Sequence, residues 1–224
     1  MIEIIPTVVP ASPADIEAAA RKYAPFARTL HIDFADGVFA PNTTWMPQKG
    51  ETLYRGDASI RASIQCEAHL MVADPLQLGV ACARWGASRI IGHIEAMQNK
   101  TETVFAQWRV AGAQECGMGT LFDTPVESLA PFIPLSDFVM FMGITAIGVQ
   151  GLPSDPNAPA HAAALRALYP DIVIEVDGAI SEQNIAGIAS GGATRFCAGS
   201  VLSKSPDPAS TYRSLIALAE SALE

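Results

Sequence analysis

Residues 31–37 read HIDFADG, a short run that combines an imidazole and two carboxylates with apolar side chains. The pattern predicts a buried strand that ends in a loop. Alternation along a strand places His31 and Asp33 on one face and the apolar residues on the other. Polar side chains on an inward face need partners. The segment alone is therefore compatible with either a metal site or a hydrogen-bonded structural pair, and similar residues at other strand ends would decide between them.

The rest of the chain alternates between short apolar runs and helical patterns. The apolar runs are bounded by Gly, Pro or polar residues, as is typical of strands buried on both faces. The eight strand candidates are residues 2–9, 30–34, 63–72, 88–93, 114–121, 137–142, 172–176 and 194–198.

Helix starts between the strands are marked by capping residues. Ser12 precedes Pro13, which is typical of an N-cap followed by the first helical position. Further starts are predicted at Asp74-Pro75, Thr124-Pro125 and Ser181, and a last helix at residues 205–224. Eight strand–helix pairs in 224 residues predict a single-domain (β/α)₈ barrel over residues 1–224, with a doubly wound open sheet as the alternative.

The composition limits the class of partner. The net charge is −9 with only 14 Lys plus Arg, so the chain lacks the basic surface of a nucleic-acid binder. A phosphorylated substrate could still bind through backbone N–H groups at helix N-termini. No apolar stretch reaches the roughly 18 residues that a membrane span needs.

The four cysteines are widely spaced and form no C-x-x-C pair. This pattern predicts reduced, buried thiols rather than a disulfide framework. Because no N-terminal signal pattern is present either, we expect a cytoplasmic protein.

Ionisable side chains recur near the ends of other predicted strands. His69 lies near the end of the third strand, and Asp177 ends the seventh. Because the carboxyl ends of barrel strands form one face, His31, Asp33, His69 and Asp177 are a plausible four-ligand metal site. The mixed N/O set does not select sharply among Zn²⁺, Fe²⁺, Mn²⁺ and Co²⁺.

Glycines follow the last two predicted strands. Gly178 follows the seventh, and Gly199-Ser200 follows the eighth. The loops after these strands are the usual phosphate site of a (β/α)₈ barrel, although single glycines also occur as ordinary turn residues. The joint position of these glycines favours phosphate binding.

Several segments, taken together, resemble the ribulose-phosphate 3-epimerase family. They follow the family's order over almost the whole chain, and the first two are the most specific. They are HIDFADG at 31–37 with Phe39 and Pro41-Asn42, HLMV at 69–72 with Pro75, HIEA at 93–96, Thr124-Pro125, VDG at 176–178 and AGS at 198–200.

The resemblance implies a ribulose-phosphate-binding (β/α)₈ barrel with one divalent metal ion held by His31, Asp33, His69 and Asp177. It implies that Asp33 and Asp177 move the C3 proton of a ketose phosphate through an ene-diolate that the metal stabilises. D-ribulose 5-phosphate is the first expected substrate, and homo-oligomers are expected. The implied substrate or phosphate contacts are Thr7, Met71, Met142, Gly148, Gly178, Gly199 and Ser200.

The chain also departs from the family pattern. Ala35 stands where the family has Met, Leu121-Phe122 replaces Asn-Pro, Ala179 replaces a second Gly, and the loop after the sixth strand is altered. Because these positions differ from the family pattern, an epimerase for another pentulose or hexulose phosphate is an alternative. A lyase on the same type of barrel and a ligand binder without epimerase activity are further alternatives. The lyases typically use an active-site Lys, and none lies near the strand ends named above.

His93 ends the fourth predicted strand, and Glu95 lies two residues after it. They either contact the metal ligands without binding the metal themselves or form a structural pair at a strand end. The sequence favours the structural interpretation.

Overall fold

The computed structural model describes residues 1–47, 63–145, 147–148 and 152–223. Within these ranges, eight parallel strands close into one barrel in chain order, and the eighth pairs back to the first. The closed order confirms the predicted (β/α)₈ fold and excludes the open sheet. The strands are β1 Glu3–Val8, β2 Thr29–Ala35, β3 Gln65–Met71, β4 Ala87–His93, β5 Glu115–Thr120, β6 Phe138–Met142, β7 Val173–Asp177 and β8 Arg195–Ala198.

The described helices pack around the barrel. Ile16, Leu165 and Leu215 on three of them are fully buried in the same core cluster as the outward-facing strand residues. Every residue of β2 and of β4 is buried, as expected for strands that are covered on both faces. The helices are α1 Pro13–Tyr23, α2 Leu76–Trp85, α3 Ile94–Met97, α4 Thr101–Ala111, α5 Ala158–Leu168, α6 Ile185–Ser190, α7 Ser200–Ser203 and α8 Pro208–Glu220.

Helix starts differ from the predictions at three places. The segment after Thr124-Pro125 forms two 3₁₀ turns, Val126–Leu129 and Ile133–Leu135, because prolines at 131 and 134 cannot donate helical hydrogen bonds. Helix α6 begins at Ile185 rather than near Ser181. The predicted last helix begins only at Pro208.

Helix α2 lies very close to helix α4 at one glycine. A Cβ atom at Gly79 would lie 2.1 Å from Nε1 of Trp108, which is fully buried. The indole Nε1–H donates to the backbone oxygen of Leu76 at 3.2 Å. The indole therefore occupies the space that a side chain at position 79 would need.

We expect Gly79→Ala to destabilise the protein by about 1–3 kcal/mol, since the added methyl group must displace a packed indole. Urea denaturation measures the change. Gly187→Ala is the matched control, because Gly187 is also helical and its nearest non-local atom would lie 3.6 Å from the added Cβ. The control should be neutral or slightly stabilising, and equal stability of both variants would contradict the packing argument.

Candidate active site

The four predicted metal ligands come together at the carboxyl ends of β2, β3 and β7. One ligand atom from each of His31, Asp33, His69 and Asp177 lies within 4.8 Å of all the others. Asp33 Oδ1 is 2.9 Å from His69 Nδ1 and 3.2 Å from His31 Nε2. Asp177 Oδ2 is 3.6 Å from His69 Nδ1. Two ring nitrogens and two carboxylate oxygens thus surround one point.

Strand register produces this convergence. Asp33 pairs with His69 across β2 and β3, and Asp177 pairs with Cys197 across β7 and β8. Because side chains alternate along a strand, Asp33, His69 and Asp177 each have an inward-facing neighbour two positions earlier. Those neighbours are His31, Glu67 and Glu175, and they form a second layer deeper in the barrel.

The deeper layer fixes the orientation of His31. Nδ1 of His31 lies 2.7 Å from Oε1 of Glu67, and both side chains are fully buried. Burial alone would raise the pKa of Glu67, but hydrogen bonding to His31 and the charge of Arg89 lower it to about 2. The carboxylate is therefore ionised and accepts the Nδ1–H, which leaves Nε2 of His31 facing the four-residue cluster.

Glu175 and Cys197 lie beside Glu67 and His31. Burial, followed by repulsion from Glu67, raises the pKa of Glu175 well above its usual value. Burial likewise raises the pKa of the Cys197 thiol. Cys197 Sγ lies 3.3 Å from Glu175 Oε1 and 3.3 Å from His31 Nδ1. The Glu67 carboxylate therefore faces the imidazole of His31, with Glu175 and Cys197 beside them.

The pKa values of the two aspartates are displaced in opposite directions. Burial would raise the pKa of Asp33, but the adjacent His31 and His69 outweigh it and hold that pKa well below its usual range. Burial and then repulsion from Asp33 raise the pKa of Asp177 to about 6. The same surroundings thus favour the charged form of Asp33 and disfavour that of Asp177.

One cavity opens above this cluster. Asp33 and Asp177 line it, whereas His31 and His69 do not. All seven residues predicted to contact substrate or phosphate also line the cavity: Thr7, Met71, Met142, Gly148, Gly178, Gly199 and Ser200. The two carboxylates therefore belong to the cavity wall, with the imidazoles behind them.

Sequence reasoning missed several lining residues. Asn42, Ile144 and Leu152 lie in loops, where no strand or helix periodicity marks a functional position. Ala179 also lines the cavity and has a φ of +54°, a left-handed conformation that favours glycine. Cys197 lies next to the AGS segment, and its spacing from the other cysteines predicts only a buried thiol. The alternation of β8 would have placed it on the inner face.

The cysteines agree with the predicted absence of a disulfide framework. All four are buried and unbridged. Among the described residues, no helix is long and apolar enough to cross a membrane.

Comparison with known proteins identifies the family. A family model described as the ribulose-phosphate 3 epimerase family matches residues 3–203. The chain belongs to the ribulose-phosphate 3-epimerase family. This epimerase-family chain is 28% identical to the ribulose-phosphate 3-epimerase, cytoplasmic isoform, of Oryza sativa subsp. japonica, over 95% of this chain and 92% of the relative. It is 30% identical to the ribulose-phosphate 3-epimerase of Chlamydia muridarum, over 90% of this chain and 88% of that relative.

The epimerase-family barrel also resembles solved structures. It matches the crystal structure of KGPDC from Streptococcus mutans with a TM-score of 0.74, at 12% identity and over 100% of this chain and 100% of that one. At this identity the similarity shows the fold alone. The family assignment confirms the predicted resemblance and the predicted enzyme class, an isomerase acting on carbohydrates.

Proposed function

We propose that this chain is a metal-dependent epimerase that inverts C3 of a ketose phosphate, with D-ribulose 5-phosphate as the first substrate and D-xylulose 5-phosphate as the product. The observation that carries the proposal is the pair of carboxylates, Asp33 and Asp177, in the wall of one cavity. Family membership supports the reaction type. The name of the rice relative supports a cytoplasmic location.

The residues of the cluster fit a divalent metal ion. His31 and His69 offer ring nitrogens, and Asp33 and Asp177 offer oxygens, at separations of 2.9 to 3.6 Å for the four measured pairs of facing atoms. These separations are close to those between neighbouring ligands of one ion with about 2.0–2.2 Å bonds. Zn²⁺, Fe²⁺, Mn²⁺ and Co²⁺ all accept such a donor set. A bound ion would supply Lewis-acid stabilisation of negative charge on the substrate oxygens.

The two carboxylates carry out the proton transfer. Asp33 and Asp177 arise from β2 and β7, which β8 and β1 separate in the barrel, so they approach a substrate from different sides. One removes the C3 proton from one face, and the other donates a proton to the opposite face of the ene-diolate. For this division of roles one group must begin as the carboxylate and the other as the acid.

The rest of the cavity supports binding of a sugar phosphate. Gly178, Gly199 and Ser200 line it after β7 and β8, where barrel enzymes commonly bind phosphate. Met71, Met142 and Ile144 give the cavity an apolar side. Among its described lining residues there is no lysine, which disfavours a lysine-dependent lyase on this barrel.

Isotope exchange tests the proposal. The metal-loaded protein is incubated in D₂O with D-ribulose 5-phosphate and, in parallel, with other pentulose and hexulose phosphates. We expect deuterium at C3 together with the C3 epimer, because a carboxylic acid exchanges its proton with solvent. The chelator-treated protein is the control and should lose the activity. If the metal-loaded protein incorporates no deuterium at C3 of any of these ketose phosphates, the proposed function is wrong.

A further inference from the structure

His93 and Glu95 extend the site outward from His69. Nε2 of His69 and Nε2 of His93 face one another at 2.9 Å, and both rings are fully buried. On its other side, Nδ1 of His93 lies 3.4 Å from Oε2 of Glu95. A continuous line of polar atoms therefore runs from the metal-ligand cluster through two imidazoles to one carboxylate.

The positions of the protons along this line follow from the donors and acceptors. A carboxylate only accepts, so the nitrogen of His93 that faces Glu95 carries a proton. Nε2 of the neutral His93 ring is then an acceptor, and Nε2 of His69 must donate to it. His69 can consequently present a lone pair at Nδ1 to the cluster. If Nε2 of His93 donated to Nε2 of His69 instead, the proton of His69 would lie at Nδ1 and would block a metal ion there.

Atoms without other partners support this assignment. His93 Nδ1 and Glu95 Oε2 are both buried, and within the described residues neither atom has a hydrogen bond, the contact between the two included. They lie 3.4 Å apart, and such contacts often shorten when a ligand completes the site. The ring of Phe39 packs against His93 with centroids 4.9 Å apart, which limits reorientation of the imidazole.

We propose that Glu95 is a positioning residue that fixes the tautomer of His69 through His93, so that Nδ1 of His69 is free to bind a divalent metal ion. The proposal rests on the proposed metal site. It assigns a function to a pair for which the sequence favoured a structural interpretation. Carboxylates behind metal-bound histidines typically raise metal affinity about 10- to 100-fold, and here the effect passes through one additional ring.

The hydrogen bonds of the second carboxylate oxygen of Glu95 determine how a glutamine at this position would be oriented. Oε1 accepts hydrogen bonds from the backbone N–H of Leu121 at 3.0 Å and from the hydroxyl of Thr124. In Glu95→Gln these two donors hold the amide oxygen, so the amide NH₂ faces His93. The amide then donates to Nδ1 of His93, which moves the His93 proton to Nε2. Nε2 of His93 would in turn donate to Nε2 of His69.

The tautomers can be measured directly by ¹⁵N NMR of the histidine rings, with and without Zn²⁺. We expect His93 to be protonated at Nδ1 in the unaltered protein and at Nε2 in Glu95→Gln. We also expect Glu95→Gln to bind Zn²⁺ about 10- to 100-fold more weakly in chelator competition. Thr124→Val is the matched control, since it removes a hydrogen bond to Glu95 but leaves a carboxylate facing His93, and it should keep both properties.

Two results would overturn the proposal. The first is an Nε2-protonated His93 in the unaltered protein, which needs no variant to fold. The second is a folded Glu95→Gln that retains the tautomer and the Zn²⁺ affinity of the unaltered protein. If the unaltered protein binds no metal, the proposed function loses its metal ion, whereas the NMR result still decides the role of Glu95 in setting the tautomers.

Discussion

Replacing Asp177 with asparagine should lower C3 inversion of the substrate by about 10²- to 10⁴-fold, the usual contribution of a positioned acid or base. The amide keeps the shape of the side chain but cannot exchange a proton at neutral pH. The rate of conversion of D-ribulose 5-phosphate measures the loss, and metal content is determined in the same sample because Asp177 is also a proposed ligand. Asp207→Asn, at the N-terminus of α8, is the control and should retain activity, since asparagine caps helices equally well.

The two-carboxylate arrangement predicts a further difference between variants. In Asp177→Asn, Asp33 still faces one side of the substrate, so residual C3 deuterium exchange should favour one of the two epimers. Asp33→Asn should favour the other epimer. Identical epimer preferences in the two variants would contradict proton transfer from opposite faces, as would full inversion in Asp177→Asn with normal metal content.

Much of this site was predictable because it lies on strands. The alternation of β2 places His31 and Asp33 on the inner face, and the barrel topology brings the ends of β3 and β7 to the same place. The same alternation also marks Glu67 and Glu175, each two residues before a predicted ligand. Burial of these two glutamates is harder to predict from the sequence alone, because a buried glutamate is rare unless it is paired.

Loops and short helices were less predictable. Asn42 and Leu152 reach the cavity through the path of their loops, which depends on contacts with distant parts of the chain. The missing helix after Thr124-Pro125 had a local signal, because two further prolines follow within ten residues. A helix-start pattern thus has to be weighed against the residues that follow it.

Arg89 of β4 lies opposite Glu67 of β3. Its guanidinium is 2.9 Å from Glu3, 3.4 Å from Glu67 and 3.5 Å from Glu115, and its side chain is only 9% exposed. Burial would lower the pKa of Arg89, but the three carboxylates outweigh this effect and raise it. Among the described residues, Arg195 is a second cation near these carboxylates, and it contacts Glu3 and Glu115.

Arg89→Met should therefore destabilise the protein by about 3–5 kcal/mol. Methionine is similar in volume to arginine but carries no charge, so the buried carboxylate of Glu67 loses its cation. Urea denaturation at neutral pH measures the loss. Arg109→Met is the matched control, since Arg109 pairs with Asp137 at 2.7 Å on the surface, where both side chains are more than a third exposed. That pair should contribute less than about 1 kcal/mol. Equal losses in the two variants would show that burial of Arg89 does not strengthen its role, and the charge of Glu67 would then need another compensating group.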